Sequence, residues 1–141
     1  MKKVVIDASV AVKWFLREAS DEDHIPEAVA ILRAIGERRL SPVQPPHWLA
    51  EIASVLARRY PEAATPAVDL LVSLEIPHLS EPDCYRRAIA LAKQLDHHLF
   101  DTLYHAVALQ SSATLITADR HYWRKADSLG RITLLNHFDH P

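Results

Sequence analysis

Hydrophobic residues in this chain follow two patterns, short continuous runs and stripes at helical spacing. Val4-Val5-Ile6 and Leu115-Ile116 are continuous runs of apolar residues, mostly β-branched, which is typical of buried strands. The stretches between them repeat apolar residues every three or four positions, as one face of a helix does. The patterns predict strands at residues 4–6, 114–117 and 132–135, and helices at 8–16, from Pro26, from Pro45-Pro46, from Thr65-Pro66, after Ser80, at 99–111 and at 120–129. Strands that alternate with helices favour an α/β fold, in which a central parallel sheet has helices on both faces.

The expected starts of the fourth and fifth helices rest on a proline signal and a capping signal. Thr65-Pro66 is expected to open the fourth helix, and Ser80 with Asp83 to cap the fifth. The acidic segment at 18–23 predicts a solvated loop. The inward stripes expected for these two helices are Val68, Leu71 and Val72 in the fourth, and Tyr85, Ala88, Ile89 and Ala92 in the fifth.

The composition is that of an ordinary globular protein. With 141 residues, 49% of them hydrophobic and 24% charged, the chain suits one domain spanning residues 1–141. Only two glycines, Gly36 and Gly130, are present, which argues against a glycine-rich phosphate loop. The net charge of −2 gives no global basic footprint for nucleic acid, although a local patch would serve.

Cysteine content and hydropathy indicate where such a protein works. Cys84 is the single cysteine, so an intrachain disulfide and a cysteine-based metal site are both excluded. Asp7 and Lys13 interrupt the apolar run at the N-terminus, and no stretch approaches the roughly 20 apolar residues of a membrane span. We therefore expect a soluble, cytoplasmic protein without a membrane segment.

Four acidic residues carry the candidate chemistry. Asp7 and Asp119 each follow a predicted strand, and ligands of open parallel sheets bind beyond the carboxyl ends of strands. Glu51 and Asp101 lie at the margins of apolar helical stripes, where a side chain reaches the rim of a cleft. Taken singly, each has a structural explanation: Asp7 and Asp119 as turn or cap residues, Asp101 as a charge at a helix N-terminus, and Glu51 as a boundary residue paired with Arg58.

Clustering of these acids would require a counterion. Two carboxylates about 4 Å apart repel by roughly 4 kcal/mol at an effective dielectric near 20. Several such pairs approach the whole stability of a domain, about 5–15 kcal/mol. Protons or a cation must therefore neutralise the cluster, and Mg²⁺ or Mn²⁺ is the cation that carboxylate ligands favour.

The segments around these acids resemble a known family. The segments are VVIDASVAVKWFL around Asp7, HWLAEIASVL around Glu51, LFDTLYHAVAL around Asp101 and LITADRHYW around Asp119. In order and spacing they are similar to PIN-domain ribonucleases, and specifically to VapC-type toxins of type II toxin–antitoxin systems. The resemblance spans nearly the whole chain, and the four segments together are more specific than any one of them.

The resemblance implies a fold, an activity and partners. It implies a three-layer α/β/α fold and a metal-dependent endoribonuclease whose site consists of Asp7, Glu51, Asp101 and Asp119, with Asp7 and Asp101 as the most direct ligands. Matching hydroxyl residues, Ser9 and Thr117, would support the site. It further implies homodimerisation and inhibition by a VapB-type antitoxin. The chain departs from the plain pattern in its histidines, including His97-His98 before Asp101.

Basic and aromatic residues near the acids are candidates for binding RNA. Phosphate contacts supply most nucleic-acid affinity, and Lys13, Arg120, Arg124 and Lys125 lie close in sequence to Asp7 or Asp119. Trp14, Tyr104 and Trp123 could stack on bases, although Trp14 and Tyr104 lie on apolar stripes that predict core positions. His105 and His121 follow the acids without a zinc-site spacing, which favours structural or surface histidines.

Other functions fit the residues less well. Phosphatases with an aspartyl nucleophile need a second aspartate two residues after Asp7, where this chain has Ser9. A nucleotide-binding module would need G-x-G-x-x-G or a P-loop, and neither occurs. A PIN-like domain that only binds RNA or protein remains the alternative to a nuclease. The presence of all four acids favours the nuclease.

Overall fold

A four-stranded parallel sheet forms the centre of the molecule. The structure is a computed structural model that describes residues 1–17, 19 and 21–139. Every neighbouring pair of strands is parallel, and the order across the sheet is β2-β1-β3-β4. The predicted α/β fold with a parallel central sheet is confirmed. The strands are β1 (Lys2–Ile6), β2 (Leu40–Pro42), β3 (Thr114–Thr117) and β4 (Ile132–Leu134).

Seven α-helices among the described residues connect and cover these strands. They are α1 (Ala8–Ala11), α2 (Ile25–Gly36), α3 (Trp48–Arg59), α4 (Pro61–Ser73), α5 (Pro82–Leu95), α6 (Leu99–Ser111) and α7 (Arg120–Ala126). Short 3₁₀ turns follow α1 (Val12–Phe15), α7 (Asp127–Leu129) and β4 (Leu135–His137). The predicted acidic loop at 18–23 includes residues 18 and 20, which lie outside the described residues.

The connections leave β1 and β3 in opposite directions. The chain runs from β1 to β2 on one side, and from β3 to β4 on the other. Right-handed crossovers then place α2 and α7 on opposite faces of the sheet. The carboxyl ends of β1 and β3 therefore flank the crevice where open α/β sheets bind ligands.

The sequence patterns did not predict β2. This edge strand has only three residues, Leu40–Pro42, and its pairing is parallel to the first half of β1. A strand so short has no recognisable alternation. Pro42 lacks an N–H donor, which an edge strand tolerates because one side is unpaired.

Two predicted features of the fourth helix are wrong. The helix begins at Pro61, one turn before the predicted start, and Pro66 lies inside it. Proline suits the first position of a helix, so Pro61 supplies the earlier start signal. Val72, predicted to face inward, is 60% exposed, whereas Leu71 is buried as predicted, together with Ala67.

The predicted cap of α5 is wrong, and of its predicted inward face only Ala88 is among the buried residues. Glu81, not Ser80, precedes the helix without a side-chain capping bond, and Asp83 pairs with Arg86 at 2.7 Å. Tyr85 and Ile89, from the predicted stripe, are exposed. The buried face holds the smaller residues Cys84 and Ala88 together with Leu91, which allows α5 to pack closely on α6.

Helix α6 is the most deeply buried helix of the core. Every residue from 102 to 108 is buried, because α5 covers one side while β1 and β3 lie on the other. The first turn of α6, with Asp101, is thereby held beside the carboxyl ends of these strands.

Among the described residues, none of the helices has the length and apolar character that a membrane span requires.

Candidate metal centre

Asp7 lies directly beyond the carboxyl end of β1. Its backbone N–H donates to the carbonyl of Ile116 in β3 at 3.0 Å, which ties the residue to the neighbouring strand. Its side-chain Oδ2 accepts hydrogen bonds from Ser9 Oγ at 2.6 Å and from Thr117 Oγ1 at 2.9 Å. The two hydroxyls therefore fix one of the two carboxylate oxygens and so restrict rotation of the group.

The same hydroxyl groups connect Asp7 to the loop after β3. Ser9 Oγ accepts from the backbone N–H of Ala118 at 3.0 Å. Thr117 Oγ1 accepts from the N–H of Asp119, also at 3.0 Å. Each hydroxyl therefore both donates and accepts, and the network joins residues more than 100 positions apart. Ser9 and Thr117, which the sequence analysis expected to support the site, thus both contact Asp7.

Glu51 lies in the first turn of α3, where its side chain contacts Tyr104 of α6. Its Oε1 accepts from the hydroxyl of Tyr104 at 2.7 Å and lies 3.2 Å from Nε2 of His47. The side chain of Glu51 is 33% exposed, whereas Tyr104 is fully buried. Burial, reinforced by the neighbouring Asp7 and Glu51, raises the pKa of Tyr104, so the phenol stays protonated and acts as a donor.

Asp101 and Asp119 complete the group. Asp101 is in the first turn of α6, and its Oδ2 lies 2.8 Å from Nε2 of His97. Asp119 precedes α7 and caps it, with Oδ1 accepting from the N–H of Tyr122 at 3.0 Å. Atoms of His97, Asp101 and Asp119 that could hold a metal all lie within 4.8 Å of one another. These residues line an open cleft of about 510 Å³, together with Ala92, Asp96, His98, His121 and Lys125.

The electrostatic environment of Asp7 links the four acids. Burial raises the pKa of Asp7 from 3.8 to about 6, the negative charges of Asp101 and Glu51 act in the same direction, and the Ser9 and Thr117 hydroxyls oppose the rise. Asp119 acts with Asp101 and Asp7 on Tyr122, whose pKa is raised mainly by burial. Asp7 therefore interacts electrostatically with Asp101 and Glu51, whereas the residues whose ligand atoms lie close enough together for one ion are His97, Asp101 and Asp119.

Comparison with known proteins identifies the family. The sequence model of the PIN domain matches residues 4–129. The chain belongs to the PIN-domain family. No curated protein matches this PIN domain in sequence.

Solved structures share its fold. One chain of a toxin–antitoxin complex from Klebsiella pneumoniae is 17% identical, with a TM-score of 0.67 and coverage of 94% of this chain and 97% of that chain. A chain of VapBC2 from Rickettsia felis, bound to a DNA fragment from its promoter, is 14% identical, with a TM-score of 0.66 and coverage of 94% and 96%. FitAcB from Neisseria gonorrhoeae is 18% identical, with a TM-score of 0.54 and coverage of 96% and 99%.

The residues of this PIN domain fit a hard divalent cation. All four candidate ligands are carboxylates, which are the donors that Mg²⁺ and Mn²⁺ prefer. Within the described part of the chain, no hydrogen bond occupies Oδ1 of Asp7, Oδ1 of Asp101 or Oδ2 of Asp119. A buried acid with a raised pKa is the expected state of such a cluster before a cation neutralises it.

The basic residues predicted to contact RNA differ in their exposure and in their contacts. Lys13 is only 5% exposed, and its ammonium lies 2.8 Å from Glu22 and 2.7 Å from the carbonyl of Asp23. A lysine buried in this way is not available to a phosphate, which argues against its predicted RNA contact. Arg120 and Arg124 are exposed at the start and end of α7. Lys125 donates to the carbonyl of Asp96 at 2.9 Å.

Some of the aromatic residues and histidines near the acids lie in the core, and others line the cleft. Trp14 and Tyr104 are buried, as their stripes indicate. His105 is buried between Tyr122 and the carbonyl of Gly130, away from the cleft, whereas His121 is exposed and lines it. Sequence reasoning missed the contacts of His47 and His97 with the acids. A histidine four residues before each of Glu51 and Asp101, one helical turn away, was the available signal.

Proposed function

We propose that this PIN domain is a metal-dependent endoribonuclease and the toxin of a VapBC-type toxin–antitoxin pair. The observation that supports the proposal most strongly is the electrostatic interaction of Asp7 with Asp101 and Glu51, together with the close approach of the metal-binding atoms of Asp101 and Asp119. Membership of the PIN-domain family and the likeness in fold to toxin–antitoxin components point the same way.

Each acid has a proposed role in the site. Asp7 and Asp101 would hold Mg²⁺ or Mn²⁺ directly, through the oxygens that no hydrogen bond of the described residues occupies. Glu51 and Asp119 would complete the shell or orient a water by hydrogen bonding. When bound, the cation would lower the pKa of a coordinated water and offset charge on the phosphate during in-line attack. Ser9, Thr117 and Tyr104 would keep the carboxylates in place.

The proposed substrate is RNA, positioned in part by α7. Arg120 and Arg124 are exposed next to Asp119, so their guanidinium groups can meet phosphates on either side of the cleaved bond. We expect the loss of either contact to weaken binding uniformly across RNA sequences, because phosphate contacts carry no base information.

Cleavage of labelled RNA tests the activity. We expect purified protein to cut RNA with Mg²⁺ or Mn²⁺ and to be inactive with EDTA. Asp7→Asn and Asp101→Asn should each lower the rate by about 100-fold or more while retaining the thermal unfolding transition. Asp69→Asn, on the exposed face of α4, is the matched control and should cleave like the wild type.

Two outcomes would reject this proposal. Undiminished cleavage by the Asp7 and Asp101 variants would exclude the proposed site and indicate a contaminating nuclease. RNA binding without cleavage under any metal condition would favour the alternative, a PIN-like domain that binds RNA or a partner without cutting.

The proposed partners are an antitoxin and a second copy of the chain. We expect a small protein encoded beside this one to bind it and suppress cleavage, and the toxin to form a homodimer in the cytoplasm. Co-expression of the neighbouring reading frame, followed by co-purification and light scattering, tests both points. Cleavage that is unaffected by every adjacent small protein would contradict the toxin–antitoxin assignment.

A further inference from the structure

His97 has two polar contacts and one ring contact beside the acids. Its side chain is 6% exposed, and its ring packs edge-on against Tyr122 with centroids 4.9 Å apart. Nε2 lies 2.8 Å from Oδ2 of Asp101, one helical turn further along the chain. On the other side of the ring, Nδ1 lies 3.3 Å from Nζ of Lys125. The ring is therefore held between an acid and an ammonium group.

Lys125 and Asp101 together indicate which nitrogen of the neutral ring carries the hydrogen. An ammonium group only donates hydrogen bonds, so Nδ1 of His97 must accept. A neutral imidazole with an accepting Nδ1 carries its hydrogen on Nε2. Lys125 is itself fixed, because it also donates to the carbonyl of Asp96 at 2.9 Å. The contacts thus define the Nε2–H tautomer, whose hydrogen points at Asp101.

This tautomer bears on how His97 meets a metal. His97, Asp101 and Asp119 are close enough together for all three to bind one ion. An imidazole binds a metal through a nitrogen lone pair, however, and the nitrogen that faces these acids carries a proton. We propose that His97 is a positioning residue for Asp101, with its tautomer set by Lys125 and Asp101 together, and that it is not a metal ligand.

The role follows from the geometry of the carboxylate. A hydrogen bond to Oδ2 restricts rotation of the Asp101 side chain and leaves Oδ1 for the cation. Glu51 has a similar neighbour, because Nε2 of His47 lies 3.2 Å from it, also one turn earlier, and 2.8 Å from the carbonyl of Phe100. Each of the two helix-borne acids therefore has a histidine nitrogen close to it, whereas Asp7 accepts hydrogen bonds from hydroxyls. Removing such outer partners typically costs about 10–100-fold in metal affinity.

This inference rests on the proposed metal site, and variants of His97 test it by Mn²⁺ calorimetry. His97→Leu removes the hydrogen bond and should weaken Mn²⁺ binding by about 10–100-fold. His97→Gln places an amide N–H near the position of Nε2–H and should bind within about threefold of the wild type. Glutamine is a poor substitute for an imidazole ligand, so equal losses in both variants would overturn the positioning role.

A second measurement does not depend on metal or on activity. Nitrogen-15 NMR of the imidazoles in the metal-free protein at about pH 8, above the ordinary pKa of histidine, should show His97 as the Nε2–H tautomer. The signal is assigned by its absence in His97→Gln. Lys125→Met should leave His97 as the Nε2–H tautomer, because the Asp101 carboxylate still accepts from Nε2. A wild-type proton on Nδ1 would overturn the proposal even if His97→Leu fails to fold.

The design also separates this inference from the proposed function. If Asp101→Asn binds Mn²⁺ as tightly as the wild type, the proposed metal site is wrong. The tautomer measured without metal then still decides whether Lys125 and Asp101 hold His97 as described. If instead Asp101→Asn loses binding and His97→Leu does not, the metal site stands and His97 has no positioning role.

Discussion

The side-chain amide of Gln44 pairs with the backbone of Ile6 as a neighbouring strand would. Its Oε1 accepts from the N–H of Ile6 and its Nε2 donates to the carbonyl of Ile6, both at 2.7 Å. Regular pairing between β1 and β2 ends at Val4 and Pro42, so the amide continues the ladder after the strand has diverged. Because Ile6 immediately precedes Asp7, this fully buried glutamine fixes the backbone on which the acid is carried.

We therefore expect Gln44→Leu to destabilise the fold and the site together. The substitution leaves a buried N–H and a buried C=O without partners, which should lower the free energy of unfolding by about 2–4 kcal/mol. Denaturant unfolding measures this loss, and calorimetry should show weaker Mn²⁺ binding. Gln94→Leu, at an exposed position of α5, is the control and should change neither quantity appreciably. A neutral Gln44→Leu would contradict the role described.

Asp7 should make the metal-free protein less stable as the pH rises. Its pKa is about 6 in the folded state against 3.8 ordinarily, so between these values the folded protein binds more protons than the unfolded chain. Stability is therefore lost as the pH rises through this interval. Asp7→Asn removes this dependence and should stabilise the metal-free protein at neutral pH by roughly 1–3 kcal/mol.

Thermal unfolding in EDTA across this pH range measures the difference between wild type and Asp7→Asn. Added Mn²⁺ should raise the melting temperature of the wild type but not of the variant, because a cation that binds only the folded state stabilises it. A variant less stable than the wild type at every pH would show that burial of Asp7 carries no such cost.

The hydroxyl of Thr117 should matter more for metal binding than its position on a buried strand suggests. Thr117→Val keeps the shape of the side chain but removes the donor to Asp7 and the acceptor for the N–H of Asp119. We expect about a 10-fold loss of Mn²⁺ affinity and about 1–2 kcal/mol of stability. Thr114→Val, at the other end of β3, is the matched control. Equal effects of the two substitutions would indicate a general disturbance of the strand.

His105 should act on stability and not on metal binding. The carbonyl of Gly130 accepts from Nε2 at 2.8 Å, so Nδ1 accepts from the Tyr122 hydroxyl at 2.9 Å and the ring is neutral. Burial lowers the pKa of His105. The unfolded chain therefore takes up the proton first, and this contribution to stability is lost as the pH falls below about 6.5.

His105→Gln removes that titration and should reduce the pH dependence of unfolding between about pH 7 and 5. The difference between the unfolding free energies of wild type and variant isolates the effect, because other groups cancel. Mn²⁺ affinity should stay within about twofold of the wild type, since the hydrogen bonds of His105 go to Tyr122 and Gly130 and not to the acids. A large loss of affinity would make His105 a residue of the metal site.

Local sequence features were sufficient to predict the class of fold and to select two of the four candidate acids. Apolar runs and helical stripes are properties of short segments, so they predicted three of the four strands and the alternation of strands with helices. An aspartate directly after a buried strand is equally local, which is why Asp7 and Asp119 could be selected from the amino-acid pattern. Glu51 and Asp101 were selected by their positions at the margins of helical stripes, and the family resemblance then supported that selection.

Contacts between distant residues, in contrast, were fixed by the tertiary structure. The order of strands makes β1 and β3 neighbours and so brings Thr117 onto Asp7 across 110 positions. No local pattern specifies the partners of several other groups. Examples are the neighbours of the inward face of α5, the hydrogen bonds of Gln44 to Ile6 and the ion pair of Lys13 with Glu22. Periodicity fixes the spacing of buried residues, whereas packing against neighbouring elements fixes which of them turn inward and which polar groups meet.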